Sequence, residues 1–409
     1  ASDGRLLSRY LGSFQVGDDA SYDMADLLDQ PPIAILPAGW YSTLTRGDYD
    51  AAITARDEAA LSAAQAAAWA QGRINAADYG AATDATWQVN RDALQAANDA
   101  AVAQGGGTVV LPGGIYNVKG VFTDSHVRWD LRDALLVHPD GSTLDIIRTR
   151  ITSTNANLSG TTLTVASPAR LERGVMIGVR GAGGISDTQS TTLASAITSS
   201  QTTDIELTSP PGFPTSGLMQ VGTELISYTG IAAAVLTGVV RGVYGTTPAA
   251  ANAGDVIGLA MRLVTTVESV TGTTVELDPN RVPALNLTGA PVDVGTINVE
   301  ISATMFGSRL TGGSSSSLNA VRGTLTRFSR FNLIVDQAEA ALFLDTSWDN
   351  DYEVRATDCS VPEGLKGSAV WLFRQCHRNH GISRLFGDMW AGVYLDNRTT
   401  TATDYDGGC

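Results

Sequence analysis

Near its C-terminal end the chain repeats a short pattern that could carry chemistry. Ala341-Leu-Phe-Leu-Asp345, Ala369-Val-Trp-Leu-Phe373 and Gly392-Val-Tyr-Leu-Asp396 align without gaps, 28 and 23 residues apart. If these segments are strands, alternation gives them two faces. Leu342, Val370 and Val393 share one face with Leu344, Leu372 and Leu395, and that face is aliphatic and predicted to point inward. The other face carries Phe343, Trp371 and Tyr394, followed by Asp345, Phe373 and Asp396. Aromatics stacked beside carboxylates suit a saccharide groove, since sugar rings lie on aromatic faces and hydroxyls bond to acids. The same composition suits a contact between protomers, where aromatics are also enriched. Asp345 and Asp396 would lie two strand spacings apart, roughly 9–10 Å. That is the upper edge of the separation used by an inverting glycosidase, whose acid and base hold a water between them. The pair is the catalytic candidate, set against the commoner use of strand-end aspartates in bonding turn backbones.

Two other clusters invite a metal. Cys359, Cys376, His377 and His380 could be zinc ligands, but alternation turns Cys376 and His377 to opposite faces. A buried thiol and surface histidines are the expectation. Asp349-Asn350-Asp351 with Glu353 lacks the glycine and terminal glutamate of a calcium loop, so a solvated turn is expected there. No metal site and no cofactor are predicted.

The elements that would position these residues begin with a helix. Arg91 to Ala103 is rich in helix formers, with Leu94, Ala97 and Ala101 at helical spacing, Asn90 as N-cap, and Gly105-Gly106-Gly107 as the stop. Thr108 to Leu111 then reads as a buried strand, Pro112-Gly113-Gly114 as a turn, and Ile115 to Val118 as a second strand. Further strands are predicted at Val127 to Val137 and Leu144 to Ile151, and a second lane at Tyr352 to Asp358 and Gly381 to Asp388. Between about Thr154 and Val292 the texture changes to short strands with Gly, Pro and Asn turns, in a cadence that passes three times. Upstream, Ile53, Ala60 and Ala67 recur seven apart, which predicts a helix from Asp48 to Gln71 that pairs with its own copies or lies on the domain. Residues 1 to 46 have no clear period.

Composition narrows the function classes. The chain has 409 residues and a net charge of −15, and no basic run offers phosphate neutralisation, so nucleic acid is excluded as a partner. No eighteen-residue apolar run exists, so no membrane span is predicted. Three cysteines do not make a disulfide framework, and no basic stretch followed by an apolar one opens the chain. Synthesis in a reducing cytoplasm is the expectation. The chain stops partway through what should be another coil, so either a short cap closes it or the natural protein continues past residue 409.

The order of cap helix, Gly105-Gly106-Gly107-Thr108, strand, Leu111-Pro112-Gly113-Gly114, strand resembles the opening of pectate-lyase-like right-handed parallel β-helices. Val221-Gly-Thr-Glu-Leu-Ile-Ser-Tyr228, with Leu236 to Thr247 and Ala249 to Asp255, resembles a segment of bacteriophage tail proteins. The resemblances imply a mainly β chain: a right-handed parallel β-helix capped by an N-terminal helix, with inserted small β modules and an N-terminal helical stalk. The expected division is 1–46 virion attachment, 47–76 stalk, 77–153 capping helix and first coils, 154–292 inserted modules, and 293–409 further coils. They further imply a structural and host-recognition component of a phage tail, a minor tail protein, tail spike or fibre at the tail tip or baseplate. It would be a homotrimer, bound to other tail proteins through its N-terminal segment and to a host surface polysaccharide through Phe343, Trp371 and Tyr394. The alternative is a virion-associated polysaccharide depolymerase using Asp345 and Asp396; the residues leave that choice open.

Overall fold

The computed structural model describes residues 72–139, 145–209, 212–307, 319–359, 368–386 and 391–396. The expected attachment segment and the helical seam of Ile53, Ala60 and Ala67 lie outside them. Arg73–Asn75, placed by sequence at the end of the stalk, is instead a strand parallel to Gly107–Val110, because Ile74 turns into the core.

The helix spans Trp87–Ala103 and starts a turn earlier than its residue pattern suggests, after Thr86. Asn90 is therefore not its cap. Wholly buried, it accepts from the Ala82 amide at 2.9 Å and donates to the Asn117 carbonyl at 3.2 Å. It thus clips the loop before the helix and a strand after it onto one point. Ala93, Leu94, Ala97 and Ala101 form the buried stripe, which joins the same apolar core as Val109 and Val118. Gly105 and Gly106 end the helix in positive φ, their amides bonding back to Val102 and Ala101.

Beyond the helix the chain winds in coils. One parallel sheet runs through Arg73–Asn75, Gly107–Val110, Val127–Val137, Glu300–Phe306, Arg330–Asp336, Asp351–Thr357 and His380–Phe386, with Gly114–Asn117 on the far half of Val127–Val137. A second runs through Val121–Thr123, Ile147–Thr149, Asn319–Thr324, Ala340–Asp345, Ser368–Phe373 and Ala391–Asp396. A short third lane joins them, made of Thr296–Ile297, Thr326–Arg327 and single bridges at Trp348 and His377. The fold is mainly β with parallel sheets, as the sequence suggested. Trp129, Ile301, Phe331 and Val354 from the first sheet meet Ile147, Val321, Leu342 and Val370 from the second in one buried core. At about 25 cal/mol per Å² of buried apolar surface, that core is the main stabilising term.

The corners flanking the third lane are unusual. Leu325, Thr346 and Arg374 take positive φ at one corner, and Asn298, Phe328, Asp349 and Arg378 at the other. A left-handed residue with a side chain costs roughly 1–2 kcal/mol, so neighbouring coils must hold it there. They do so with a polar ladder. The Val299 amide donates to Ser329 Oγ at 3.0 Å, the Ser329 amide to Asn350 Oδ1 at 3.0 Å, and the Asn350 amide to Asn379 Oδ1 at 3.1 Å. Each coil thereby satisfies a buried amide of the coil before it.

Val127–Val137 pairs directly with Glu300–Phe306, and Ile147–Thr149 with Asn319–Thr324, so neighbouring coils enclose a long excursion of the chain. Within the excursion a closed six-stranded barrel joins Thr152–Ser159, Thr162–Val165, Met176–Val179, Leu263–Thr271, Thr274–Leu277 and Leu287–Val294. The first and third passes of the sequence cadence thus interleave in one body, since Thr162–Val165 pairs antiparallel with Thr274–Leu277. The middle pass forms a five-stranded and a three-stranded sheet around Leu193, Met219, Ile226, Leu236 and Ile257. The barrel rests on the third lane through Met176 and Val264, packed with Leu325 and Trp348. His126 bonds Glu172 at 2.8 Å at the same junction, and Arg170 pairs with Asp124.

Candidate functional site

The outer face of the second sheet collects the residues that the aligned pentapeptides singled out. Phe343 pairs in register with Trp371, and Trp371 with Tyr394. Their rings meet edge to face, with centroids 5.3 Å apart for the first pair and 5.4 Å for the second. Leu342, Leu344 and Val370 point the other way into the core, so alternation sorts this lane as the sequence suggested. In the last coil, however, the inward positions Val393 and Leu395 are 41% and 70% exposed.

The ladder runs further than the pentapeptides. Phe343 is also in register with Arg322, Arg322 with Arg148, and Arg148 with Phe122. Arg148 lies over the Phe122 ring at 4.3 Å and Arg322 over Phe343 at 4.7 Å. Six coils therefore present Phe122, Arg148, Arg322, Phe343, Trp371 and Tyr394 in one outward row. Phe343 is 8% exposed, in a small cluster with Ala340 and Phe373, whereas the other five are half-buried. Arg322 is taken up by Asp145, so the rungs open to a ligand are Phe122, Arg148, Trp371 and Tyr394, and Phe343 serves as their floor. The Trp371 Nε1 hydrogen is buried without a partner.

The carboxylate candidates sit on the same strands, two residues further along. Asp345, 6% exposed, accepts from Arg374 Nη2 at 3.0 Å and from the Thr346 hydroxyl at 3.0 Å. That arrangement ties the end of its strand to the next coil. Asp396 takes the register position two strands along from Asp345, with Phe373 between them.

Arg322 Nε stands 3.0 Å from Asp145 Oδ2, and Asn319 donates to the other oxygen at 3.1 Å. Burial pushes the Asp145 carboxyl above the usual range, against the pull of Arg322, Asn319 and, more weakly, Arg148. Arg150, beside the same Phe122 ring, pairs with Asp124 at 3.2 Å.

The clusters weighed for metals are absorbed by the third lane. Cys359 is buried in the core, which pushes its thiol up to about 11. Cys376 Sγ bonds the Leu344 and Phe373 carbonyls, while His377 stacks edge-on to Trp348 at 5.5 Å. Burial would raise the Asp349 carboxyl, but Arg378 and Arg327, bonded at 2.5 and 2.7 Å, hold it below the usual range. Sequence reasoning missed Phe122 and Arg148 because their strands are three residues long and the excursion separates them from the rest. Alternation within Asn319–Thr324 could have offered Arg322.

No protein-family model matches the chain, and no curated protein matches it. Among solved structures it is similar to the tailspike gp61 of Pseudomonas phage phi297, at 13% identity and a TM-score of 0.39, over 77% of this chain and 49% of that one. It is similar also to the tailspike gp49 of Pseudomonas phage LKA1, at 12% identity and a TM-score of 0.39, over 81% of this chain and 50% of that one. A third is the Gp54 tailspike of Acinetobacter baumannii bacteriophage AP22, solved in complex with a capsular saccharide, at 10% identity and a TM-score of 0.31, over 72% and 41%. The chain spans half or less of the length of these three proteins.

Proposed function

We propose that the chain is a tail component of a bacteriophage virion, of the tail-spike or minor-tail kind, that recognises a host surface polysaccharide on the outer face of its second sheet. The observation that supports this most is the in-register row from Phe122 to Tyr394. Parallel coils repeat about every 4.8 Å, comparable with the length of a pyranose, so such a row offers successive rungs to successive sugars. Trp371 and Tyr394 would stack on sugar rings, with Phe343 behind them. Three copies side by side and an attachment role for residues 1–46, at a tail tip or baseplate, complete the reading. Binding is favoured over cleavage because Asp345, one of the two carboxylates of the depolymerase alternative, is engaged by Arg374 and Thr346.

The test is adsorption of the purified chain to a panel of bacterial surface polysaccharides. Trp371→Ala is expected to weaken binding about thirtyfold, the loss of one aromatic anchor worth about 2 kcal/mol, in a chain that still folds cooperatively. If the variant instead splits an oligomer in sedimentation and leaves adsorption intact, the row is a contact between copies and the reading is wrong.

A further inference from the structure

The arginines in and beside the row do not share one electrostatic state. Arg322 faces Asp145, and Arg150 faces Asp124 and, at 3.5 Å, Asp99. Two residues beyond Phe343 the charge of Asp345 is matched by Arg374. Arg148 differs. Like Arg150 and Arg322 it is half-buried, with an Nε out of solvent and a guanidinium over an aromatic ring, here Phe122, but it has neither of their salt bridges. Among the described residues no carboxylate oxygen bonds to it; Asp145, bonded to Arg322, reaches it only through space. Burying part of an unpaired guanidinium costs free energy, and a planar fork resting on an aromatic ring is arranged to receive an anion.

Resting on the polysaccharide reading above, we infer that the glycan is acidic, and that Arg148 receives a carboxylate or other anionic substituent while Trp371 and Tyr394 stack on neutral rings further along. Arg148 and Trp371 are three strand spacings apart, roughly 14 Å, and Tyr394 one more. A single ligand reaching both ends therefore spans about three sugars or more, with its acid at the Phe122 end. The chain's net charge of −15 sharpens the point. An acidic polymer is repelled by most of this surface, so one cation without a bonded carboxylate in an aromatic row fixes where the polymer lies and in which register.

The experiment uses the full chain on a printed array of acidic and neutral bacterial glycans, with affinities then measured in solution for the best acidic and the best neutral glycan. Expected are acidic binders that weaken at least about tenfold in Arg148→Gln. The control Arg330→Gln, on the other sheet, is expected to leave them unchanged, and raised salt to weaken the parent more than Arg148→Gln. Neutral glycans bound equally well by the parent and Arg148→Gln, and lost in Trp371→Ala, would overturn the acidic assignment while leaving polysaccharide recognition standing. An array on which neither class is bound would overturn both.

Discussion

The two parallel sheets share a core but treat water differently. On the outer face of the first, charges of opposite sign follow one another from coil to coil. Arg128 stands 3.5 Å from Glu300, Arg330 3.7 Å from Asp351, and Arg384 3.7 Å from Glu353. Arg330 and Asp351 are 66% and 60% exposed and Arg384 and Glu353 about half, so these two pairs contribute little to stability, whereas Glu300 is buried beside Arg128. What the pairing does supply is a charged, well-hydrated face, on which even the stacked Arg355 and Arg384 each lie within 4 Å of Glu353. The outer face of the second sheet spends its positions on aromatics and arginine, half-buried or more, with an ion pair at Asp345 and Arg374 that is almost fully enclosed. Identical backbone geometry thus carries a solvent face on one side and a contact face on the other, and side-chain choice at the outward positions alone makes the difference.

Equivalent changes on the two faces should therefore have unequal effects. The largest is expected for Asp345→Asn, which leaves the enclosed Arg374 without its matching charge and should lower stability by about 3 kcal/mol. Asp351→Asn on the first sheet should change it by less than about 0.5 kcal/mol. Denaturant melts of both variants check the pair, and equal losses would erase the distinction between the faces. Next comes the contrast of Trp371→Ala with Ile334→Ala, an outward residue of the first sheet that is 47% exposed. Polysaccharide affinity should fall about thirtyfold in the former and stay constant in the latter.

The smallest effect is electrostatic. Beside Arg322, burial raises the Asp145 carboxyl, whereas on the first face the Arg132 hydrogen bond lowers that of Asp130. A carboxyl raised in the folded state binds more protons there than when unfolded. Asp145 therefore favours folding below its unfolded value, and that contribution is lost as pH rises through its folded one. For Asp130 the sign reverses: its contribution is present above the unfolded value and lost as pH falls through the folded one. Carboxyl-detected NMR titration should find Asp145 titrating above about 3.9 and Asp130 below it. The reverse order would contradict the assignment of burial to one and pairing to the other.

Much of this was legible in residues close together in the chain. The three pentapeptides carry both their alternation and their alignment, so the inward leucines and the Phe343–Trp371–Tyr394 row follow from sequence. The helix stripe of Leu94, Ala97 and Ala101 was legible for the same reason. What stayed hidden depends on distant partners. Asn90 resembles a cap until the strand ending at Asn117 gives its amide a carbonyl to bond. Leu325, Thr346 and Phe328 carry no local signal for a left-handed corner, because stacked coils rather than their own preferences impose it. Arg148 looks like any other arginine until Asp145 is seen to engage Arg322 instead.

The excursion between Ile147–Thr149 and Thr296–Ile297 also sets a clock. A growing chain offers Val127–Val137 long before its neighbour Glu300–Phe306 has been made. At ordinary synthesis rates the interval is roughly ten to thirty seconds. The antiparallel hairpins of the intervening body pair nearby residues and can form early, whereas the coil waits with one hydrogen-bonding edge open. Synthesis of the later coils is thus the slow event, and the helix-capped end, protected on one side from the start, is the template onto which each new turn is laid.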